Sequence, residues 1–268
     1  MSRTKFWRLC TSLALSFVLV QSTLAAPPQI QASSPPAATL LQKSLAALVG
    51  NASISDVTLT GTARRIAGPD DESGTVTVKA LADGSGKIQL SLPSGDRNEV
   101  RSAGTSGPVG AWSGPDGVSH TISNYNLMTD FGWFPTFTIS NILSSNTSVV
   151  VNLGQETKES RSVLHLSVSK QYPEIADDTT LLQHLSTIEI FLDASTYLPA
   201  ALSYNIHANN NGFVDIPVEI HFSDYRSVSG SQIPFHIQKF INNTVCLDVQ
   251  FTAITLNSRL PAMEFAIQ

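Results

Sequence analysis

The chain is poor in cysteine and in basic residues, and both shortages exclude classes of protein. Its 268 residues include only Cys10 and Cys246, too few for a disulfide-based scaffold. Lys and Arg number 16 against 21 Asp and Glu, and the basic residues form no cluster. Nucleic acid is therefore not expected as a partner, and anionic membrane surfaces are disfavoured for the same reason.

Apolar runs long enough to span a membrane are missing too. The N-terminal run Leu13–Val20 is shorter than the ~18 residues that a spanning helix needs. It follows basic residues at positions 3, 5 and 8 and precedes Thr23-Leu24-Ala25, whose small residues suit signal peptidase. Residues 1–25 are therefore predicted to be a cleaved signal peptide rather than a retained anchor. We expect a soluble, exported mature protein, periplasmic or extracellular, with no membrane span after cleavage.

Cleavage changes the composition of the chain. It leaves 13 basic against 21 acidic residues, a net charge of −8, and Cys246 as the single cysteine. An intramolecular disulfide is then impossible, and Cys246 is expected to be a buried apolar filler rather than an exposed thiol. The fold must therefore depend on a sizeable apolar core, for which about 240 residues are ample.

Recognisable catalytic and metal motifs are also absent. The sequence has no Gly-x-Ser-x-Gly elbow, His-Glu-x-x-His pair, phosphate loop or Cys-x-x-Cys pair. His207, His221 and His236 fall on successive predicted strands, on their polar face, which suggests a metal site. Strand pairing brings His221 near His236 but not near His207, and two histidines without a third ligand make a poor zinc site. We predict solvent-facing histidines, no metal, no cofactor and no enzyme; a hydrolase with an unrecognised site is the alternative.

What the sequence does contain is strict alternation of apolar and polar residues, clearest from Ser186 to Phe251. Turn residues separate these segments, as at Asn209-Asn210-Asn211-Gly212, and this pattern is typical of an antiparallel meander. Shorter alternating segments occur between residues 57 and 92 and between 147 and 169. Each strand therefore has one apolar and one polar face.

Two segments are predicted to be helical, Thr39–Val49 and Asp130–Ser144. A sheet of about 9–11 strands must curl or be covered, and this little helix cannot cover it flat. The fold class is therefore mainly β, a single curled antiparallel sheet. We expect an incomplete barrel with one or two helices packed on its concave apolar face. Residues 26–38, rich in Pro, Ala and Ser, are predicted to be a linker, and 39–268 a single domain.

Two turn motifs carry a resemblance to a known family. Residues 192–199, Leu-Asp-Ala-Ser-Thr-Tyr-Leu-Pro, end one strand, and residues 224–235, Asp-Tyr-Arg-Ser-Val-Ser-Gly-Ser-Gln-Ile-Pro-Phe, form a later hairpin. Together with Phe265 near the C-terminus they resemble the periplasmic lipoprotein-carrier superfamily, which includes outer-membrane lipoprotein-sorting proteins. The resemblance implies an incomplete antiparallel barrel whose hollow takes acyl chains, with helices acting as a plug.

The function expected from these features is non-catalytic binding of a hydrophobic, acyl-chain or lipid-like ligand. Asp130–Ser144, with its aromatic residues and its Gly and Pro interruptions, is either a core helix or a movable lid over the hollow. The alternative function is a plugged envelope scaffold whose polar face, or whose Gly104–Gly117 loop, contacts an envelope protein. The predicted ligand-binding residues of hollow and lid are Trp133, Phe134, Phe137, Leu45, Ile190, Tyr204, Ile220, Phe222 and Phe235.

Overall fold

The structure is a computed structural model that describes residues 35–129, 132–171 and 179–267. The predicted signal peptide and the predicted linker up to residue 34 lie outside these ranges, as does Asp130. Within them, the chain forms one antiparallel sheet, not closed into a barrel, and three α-helices. None of the helices in these ranges has the length and apolar character needed to cross a bilayer.

The predicted fold class is confirmed, with 13 strands rather than about 9–11. The additional short strands include two in and after the glycine-rich segment, where five and three residues give too little alternation to be recognised. The strands are β1 (Asp56–Ala67), β2 (Asp70–Leu81), β3 (Gly86–Leu92), β4 (Gly95–Ser102), β5 (Val109–Ser113), β6 (Ser119–Thr121), β7 (Ser148–Lys158), β8 (Arg161–Lys170), β9 (Ile188–Asp193), β10 (Pro199–Ala208), β11 (Asn211–Val228), β12 (Ser231–Ile241) and β13 (Thr244–Leu256).

Two meanders joined in the middle make up the sheet. Strands β1 to β6 run outward to one edge, and β7 to β13 run inward from the other, so that β1 pairs with β13. Gly61 lies at a bulge in this central pairing, where a Cβ would fall 2.0 Å from the carbonyl oxygen of Gln250. The seam between the meanders therefore requires glycine at this position.

The helices are α1 (Ala37–Val49), α2 (Pro135–Ser144) and α3 (Thr179–Leu185). Helix α1 begins two residues before the predicted start, and α2 begins later than predicted, at Pro135. Proline lacks an amide hydrogen, so it is favoured in the first turn of a helix and unfavourable in the interior. Helix α3 was not predicted from the sequence.

The core is one continuous cluster between the apolar face of the sheet and the two longer helices. Leu40, Leu41 and Leu48 of α1 are buried against α2 and β12. The strands contribute alternate residues to the same cluster, including Leu59, Val78, Ile190, Leu202, Ile220, Ile237 and Val249. The sheet therefore curls around α1 and α2, and its apolar side is called the inner face below.

The two family-like motifs are turns that contact each other. A carboxylate oxygen of Asp193 accepts hydrogen bonds from the amides and hydroxyls of Ser195 and Thr196 at 2.6–3.0 Å. This lets the chain turn and re-enter the sheet at Pro199. The Tyr225 hydroxyl, from the second motif, donates a 2.8 Å hydrogen bond to the Pro199 carbonyl. These motifs therefore specify how β9, β10 and β11 meet.

Candidate ligand-binding groove

The inner face is not completely covered by the helices. A groove of about 620 Å³ remains between β1, β3, β4, β5, β12 and β13, with Trp133 in its wall. This volume lies within the range of about 300–1,000 Å³ that is usual for small-molecule sites. Its apolar lining includes Ile66, Ala67, Ile88, Leu90, Trp112, Pro115, Trp133, Ile241 and Leu247. The groove is therefore a mainly apolar site, lined by β3–β5 on one side and by β1, β12 and β13 on the other.

Alternation along β3 separates this groove from the outer face of the sheet. Ile88 and Leu90 are buried and line the groove. Lys87 and Gln89, the intervening residues, line a separate pocket of about 540 Å³ on the outer face, together with Glu264. Successive strand residues point to opposite faces, so the two pockets differ in chemistry: the inner one suits an apolar chain.

Two tryptophans border the groove. Trp133 lies just before α2 and is 3% exposed, whereas Trp112, on β5, is 43% exposed and stacks on His120. They are the two tryptophans of the chain beyond the predicted signal peptide. Indole emission therefore reports on the groove through both residues, although Trp112 also lines the outer pocket.

Four charged residues line the groove as well, and two of them, Arg97 and Glu99, lie on β4. Arg97, Glu99 and Arg101 alternate with Asn98 and Val100, and Glu99 pairs directly with inner-face Ile88. Arg101 Nε donates a 2.9 Å hydrogen bond to Glu99, and Arg101 also donates to backbone carbonyls of residues 126 and 129. Burial raises the pKa of Glu99, but Arg101 and Lys239 outweigh it, so this pKa lies below its usual value. Glu99 is therefore an ionised, paired carboxylate.

A second carboxylate lies at the rim. Glu72 is within 3.4 Å of Arg65 and 3.5 Å of Arg97. It also accepts hydrogen bonds from the amide and hydroxyl of Ser94, which lower its pKa. The two arginines of the groove wall are thus held by one carboxylate.

Lys239 and Cys246 form the part of the groove beside Trp133. The Lys239 ammonium lies 5.9 Å from the centre of the Trp133 ring. Cys246 is half-buried rather than fully buried as expected, and its thiol donates to the Lys239 carbonyl at 3.3 Å. Burial raises the pKa of this thiol above its usual value. The wall here is therefore apolar apart from a single ammonium group.

The predicted ligand-binding residues lie together in the apolar core, and of the nine only Trp133 lines the groove. Eight of them are buried in the core cluster, and Leu45 is half-buried against it. Trp133 lines the groove, whereas the space beside Phe134 and Phe137 is about 20 Å³, enough for about one water molecule. The helices therefore fill the middle of the predicted hollow. The role in binding of all nine, Trp133, Phe134, Phe137, Leu45, Ile190, Tyr204, Ile220, Phe222 and Phe235, stays a prediction.

The three histidines considered from the sequence have different environments. His221 lies between Glu219 and Glu159 on the outer face, and His236 lies 3.0 Å from Asp248 there. His207, expected to face solvent, is instead 4% exposed. A 3₁₀ helix, Asn124–Leu127, covers it, and the Asn126 side chain bonds both its amide and its carbonyl. The expectation for His207 was wrong because the cover comes from a distant part of the chain.

His207 has two polar neighbours that the sequence did not suggest. Its Nδ1 is 3.5 Å from Asp215, whose carboxylate is 2.9 Å from His184 Nε2 of α3. One donor atom from each of the three lies within 4.8 Å of the others. His184 and Asp215 are exposed and bonded to each other, and three donors are one fewer than a structural zinc site uses. His207 Nδ1 lies closer to the Val214 carbonyl oxygen, at 3.2 Å, so only His184 and Asp215 of the three share a hydrogen bond.

Comparisons with known proteins support the fold. No protein-family model matches the sequence, and no curated protein matches it. A structure described as an outer-membrane lipoprotein-sorting protein domain, from Vibrio parahaemolyticus, superposes with a TM-score of 0.55 at 12% identity, covering 85% of this chain and 95% of that one. A LolA superfamily protein from Nitrosomonas europaea gives 0.53 at 10% identity, covering 87% and 99%.

A third structure gives a similar result. A DUF1329 family protein from Desulfovibrio piger superposes with a TM-score of 0.54 at 10% identity, covering 87% of this chain and 98% of that one. At identities this low, such similarity establishes the fold and not the activity. The chain has the fold of the outer-membrane lipoprotein-sorting proteins, and the resemblance noted in its turn motifs is confirmed at that level.

Proposed function

We propose that the protein is an exported, non-catalytic binder of lipid-like molecules, and that the apolar chain of its ligand lies in the groove beside Trp133. The observation that carries this proposal is the groove itself: about 620 Å³ of mainly apolar space on the inner face of the sheet. The shared fold is consistent with it, because it is the fold of lipoprotein-sorting proteins. Export is proposed from the sequence of residues 1–25.

Binding would work by partition of an acyl chain from water into the groove. Each buried methylene contributes about 0.8 kcal/mol, so ten methylenes contribute roughly 8 kcal/mol. Loss of translational freedom and ordering of the chain oppose this gain. The net affinity of such a ligand is therefore set mainly by how much of its chain the groove covers.

The residues predicted as lid and hollow extend this site inward. Phe134 follows Trp133 directly and Phe137 lies three residues further on, and the centres of the two phenylalanine rings are 4.8 Å apart. A longer ligand would reach them if α2 moved away from the sheet, which is the lid hypothesis. A plugged scaffold that contacts an envelope protein is the alternative function, and it requires no ligand in the groove.

A variant that fills the groove tests the proposal. Ala67 is half-buried in the groove wall, whereas Thr62 lies on the same strand but is exposed on the outer face. Ala67→Trp should weaken binding of a fluorescent fatty-acid analogue by at least about tenfold. Tenfold corresponds to about 1.4 kcal/mol, which is the contribution of about two methylenes that the indole would displace from the groove. Thr62→Trp is the matched control and should bind like the unsubstituted chain. Equal binding by both variants would reject the groove as the site.

A further inference from the structure

The charges of the groove do not balance. Its walls contribute three cations, Arg65, Arg97 and Lys239, and one carboxylate, Glu99. Glu99 is engaged by Arg101, and the two arginines share Glu72 at the rim. Both nearby carboxylates are therefore already paired with arginines; Glu99 attracts Lys239 electrostatically but forms no ion pair with it.

Lys239 stands apart from these pairs. It follows Phe235 and Ile237 at alternate positions of β12, so it lies on the inner face, opposite buried Leu247. Within the described ranges, no residue forms an ion pair or a hydrogen bond with its ammonium group, which lies over the Trp133 ring. Burial lowers the pKa of Lys239, but Tyr204, Glu99 and Cys246 outweigh it, so the pKa lies above its usual value.

An ammonium group on the inner face of a sheet is unfavourable unless a partner compensates for its lost hydration. Here the ammonium group faces an apolar groove of small-molecule size. An anion at the end of an apolar chain would give this ammonium group a direct hydrogen-bonding partner, and charge-assisted hydrogen bonds are the stronger ones. A neutral head group would form only a weaker hydrogen bond with Lys239, and a cationic head group would be repelled by it.

We propose that the ligand is a single-chain amphiphile with an anionic head group, a carboxylate or a phosphate monoester, which Lys239 binds while the chain lies along Trp133, Ile88 and Leu90. This inference rests on the proposed function, because it names the ligand class of the same groove. It adds a specificity that an apolar groove alone would not have.

The test compares four ligands with the same dodecyl chain: dodecanoate, dodecyl phosphate, dodecanol and dodecyltrimethylammonium. Each is titrated into the mature chain near neutral pH, below its micelle concentration or, for dodecanol, below its solubility limit, with indole emission as the readout. Dodecanoate and dodecyl phosphate should bind roughly ten- to a hundredfold more tightly than dodecanol, and the ammonium compound more weakly still. The relative affinity of the two anions shows which head group Lys239 prefers.

Three variants identify the residue responsible. Lys239→Met keeps the approximate length of the side chain and removes its charge, so dodecanoate should lose its advantage and bind no better than dodecanol. Lys239→Arg should keep the preference for the anion. Lys87→Met, in the outer pocket, should change nothing.

The outcomes separate the two proposals. If the unsubstituted chain binds dodecanol as tightly as dodecanoate, or if Lys239→Met keeps its preference for the anion, the head-group inference is wrong and the groove proposal stands. If none of the four ligands binds, the groove proposal itself fails. Loss of dodecanol binding in Lys239→Met would mean that the substitution disturbs the groove, and the anion preference of Lys239→Arg then decides whether the inference holds.

Discussion

The length of the ligand chain is the perturbation whose effect follows most directly from the groove. If one methylene takes roughly the ~30 Å³ of a water molecule, the groove of about 620 Å³ has room for roughly twenty carbons. Each added methylene contributes about 0.8 kcal/mol, or roughly a fourfold gain in affinity. We expect the dissociation constants of saturated fatty acids to fall by about this factor per carbon from about eight to about sixteen carbons.

The assay is displacement of the fluorescent fatty-acid analogue, because Ala67→Trp and Thr62→Trp would each add an indole to the protein's own emission. Every concentration is kept below the micelle threshold of each fatty acid. Ala67→Trp, which occupies part of the groove, should reach its maximum affinity at a shorter chain than the unsubstituted protein does. Thr62→Trp should follow the unsubstituted protein. An affinity that does not change with chain length would refute partition into the groove, and so would an identical length profile in Ala67→Trp.

Three further predictions concern the scaffold around the groove. Asp56 accepts hydrogen bonds from the amide and hydroxyl of Ser258 and from two further groups at 2.7–3.0 Å, so Asp56→Asn should lower the free energy of unfolding by about 2–3 kcal/mol in urea melts near pH 7. Burial raises the pKa of Asp56, but these hydrogen bonds outweigh burial, so the pKa lies below its usual value. The difference in free energy of unfolding between Asp56→Asn and the unsubstituted chain should therefore shrink as the pH falls below about 4 and Asp56 is protonated. A difference that does not change with pH would contradict this. Tyr225→Phe removes the bond to the Pro199 carbonyl and should cost about 1 kcal/mol in the same melts, whereas no loss would show that the two turn motifs are not coupled there. Gly61→Ala should cost roughly 1–3 kcal/mol because its methyl group meets backbone, and an unchanged melting temperature would argue against the bulge.

The sheet could be predicted from the sequence because its strands are long and alternate strictly. From Ile188 to Leu256 the face of most strand residues follows from their position, apart from irregularities near Ala208, Pro199 and Phe240, and the turns carry Asn, Asp, Gly and Pro. Strands β5 and β6 were missed because five and three residues cannot establish a period of two. Helix α3 was missed because seven residues give little amphipathic signal.

The groove could be predicted only in part. Alternation showed that one face is apolar, but it does not show which part of that face the helices leave uncovered. That depends on the packing of α1 and α2, which is tertiary information. The predicted residues Ile190, Ile220 and Phe222 therefore lie in the filled core, whereas Ile88 and Leu90 line the opening.

One signal for the charged part of the groove was present in the sequence. Lys239 occupies an apolar-face position after Phe235 and Ile237, and Arg97, Glu99 and Arg101 share one face of β4. Charged residues at inner-face positions are unusual unless they are paired or functional. His207 had no such signal, because its cover comes from Tyr125 and Asn126 on a distant segment.

Native mass spectrometry tests the central claim most directly. The mature chain would be purified gently from an export host, with an organic extract of the same sample analysed alongside. The account predicts a stoichiometric additional mass that solvent releases and that is identified as an anionic, single-chain lipid. A bare chain mass that stays bare after incubation with fatty acids and phospholipids would contradict the account and favour the plugged scaffold with a protein partner.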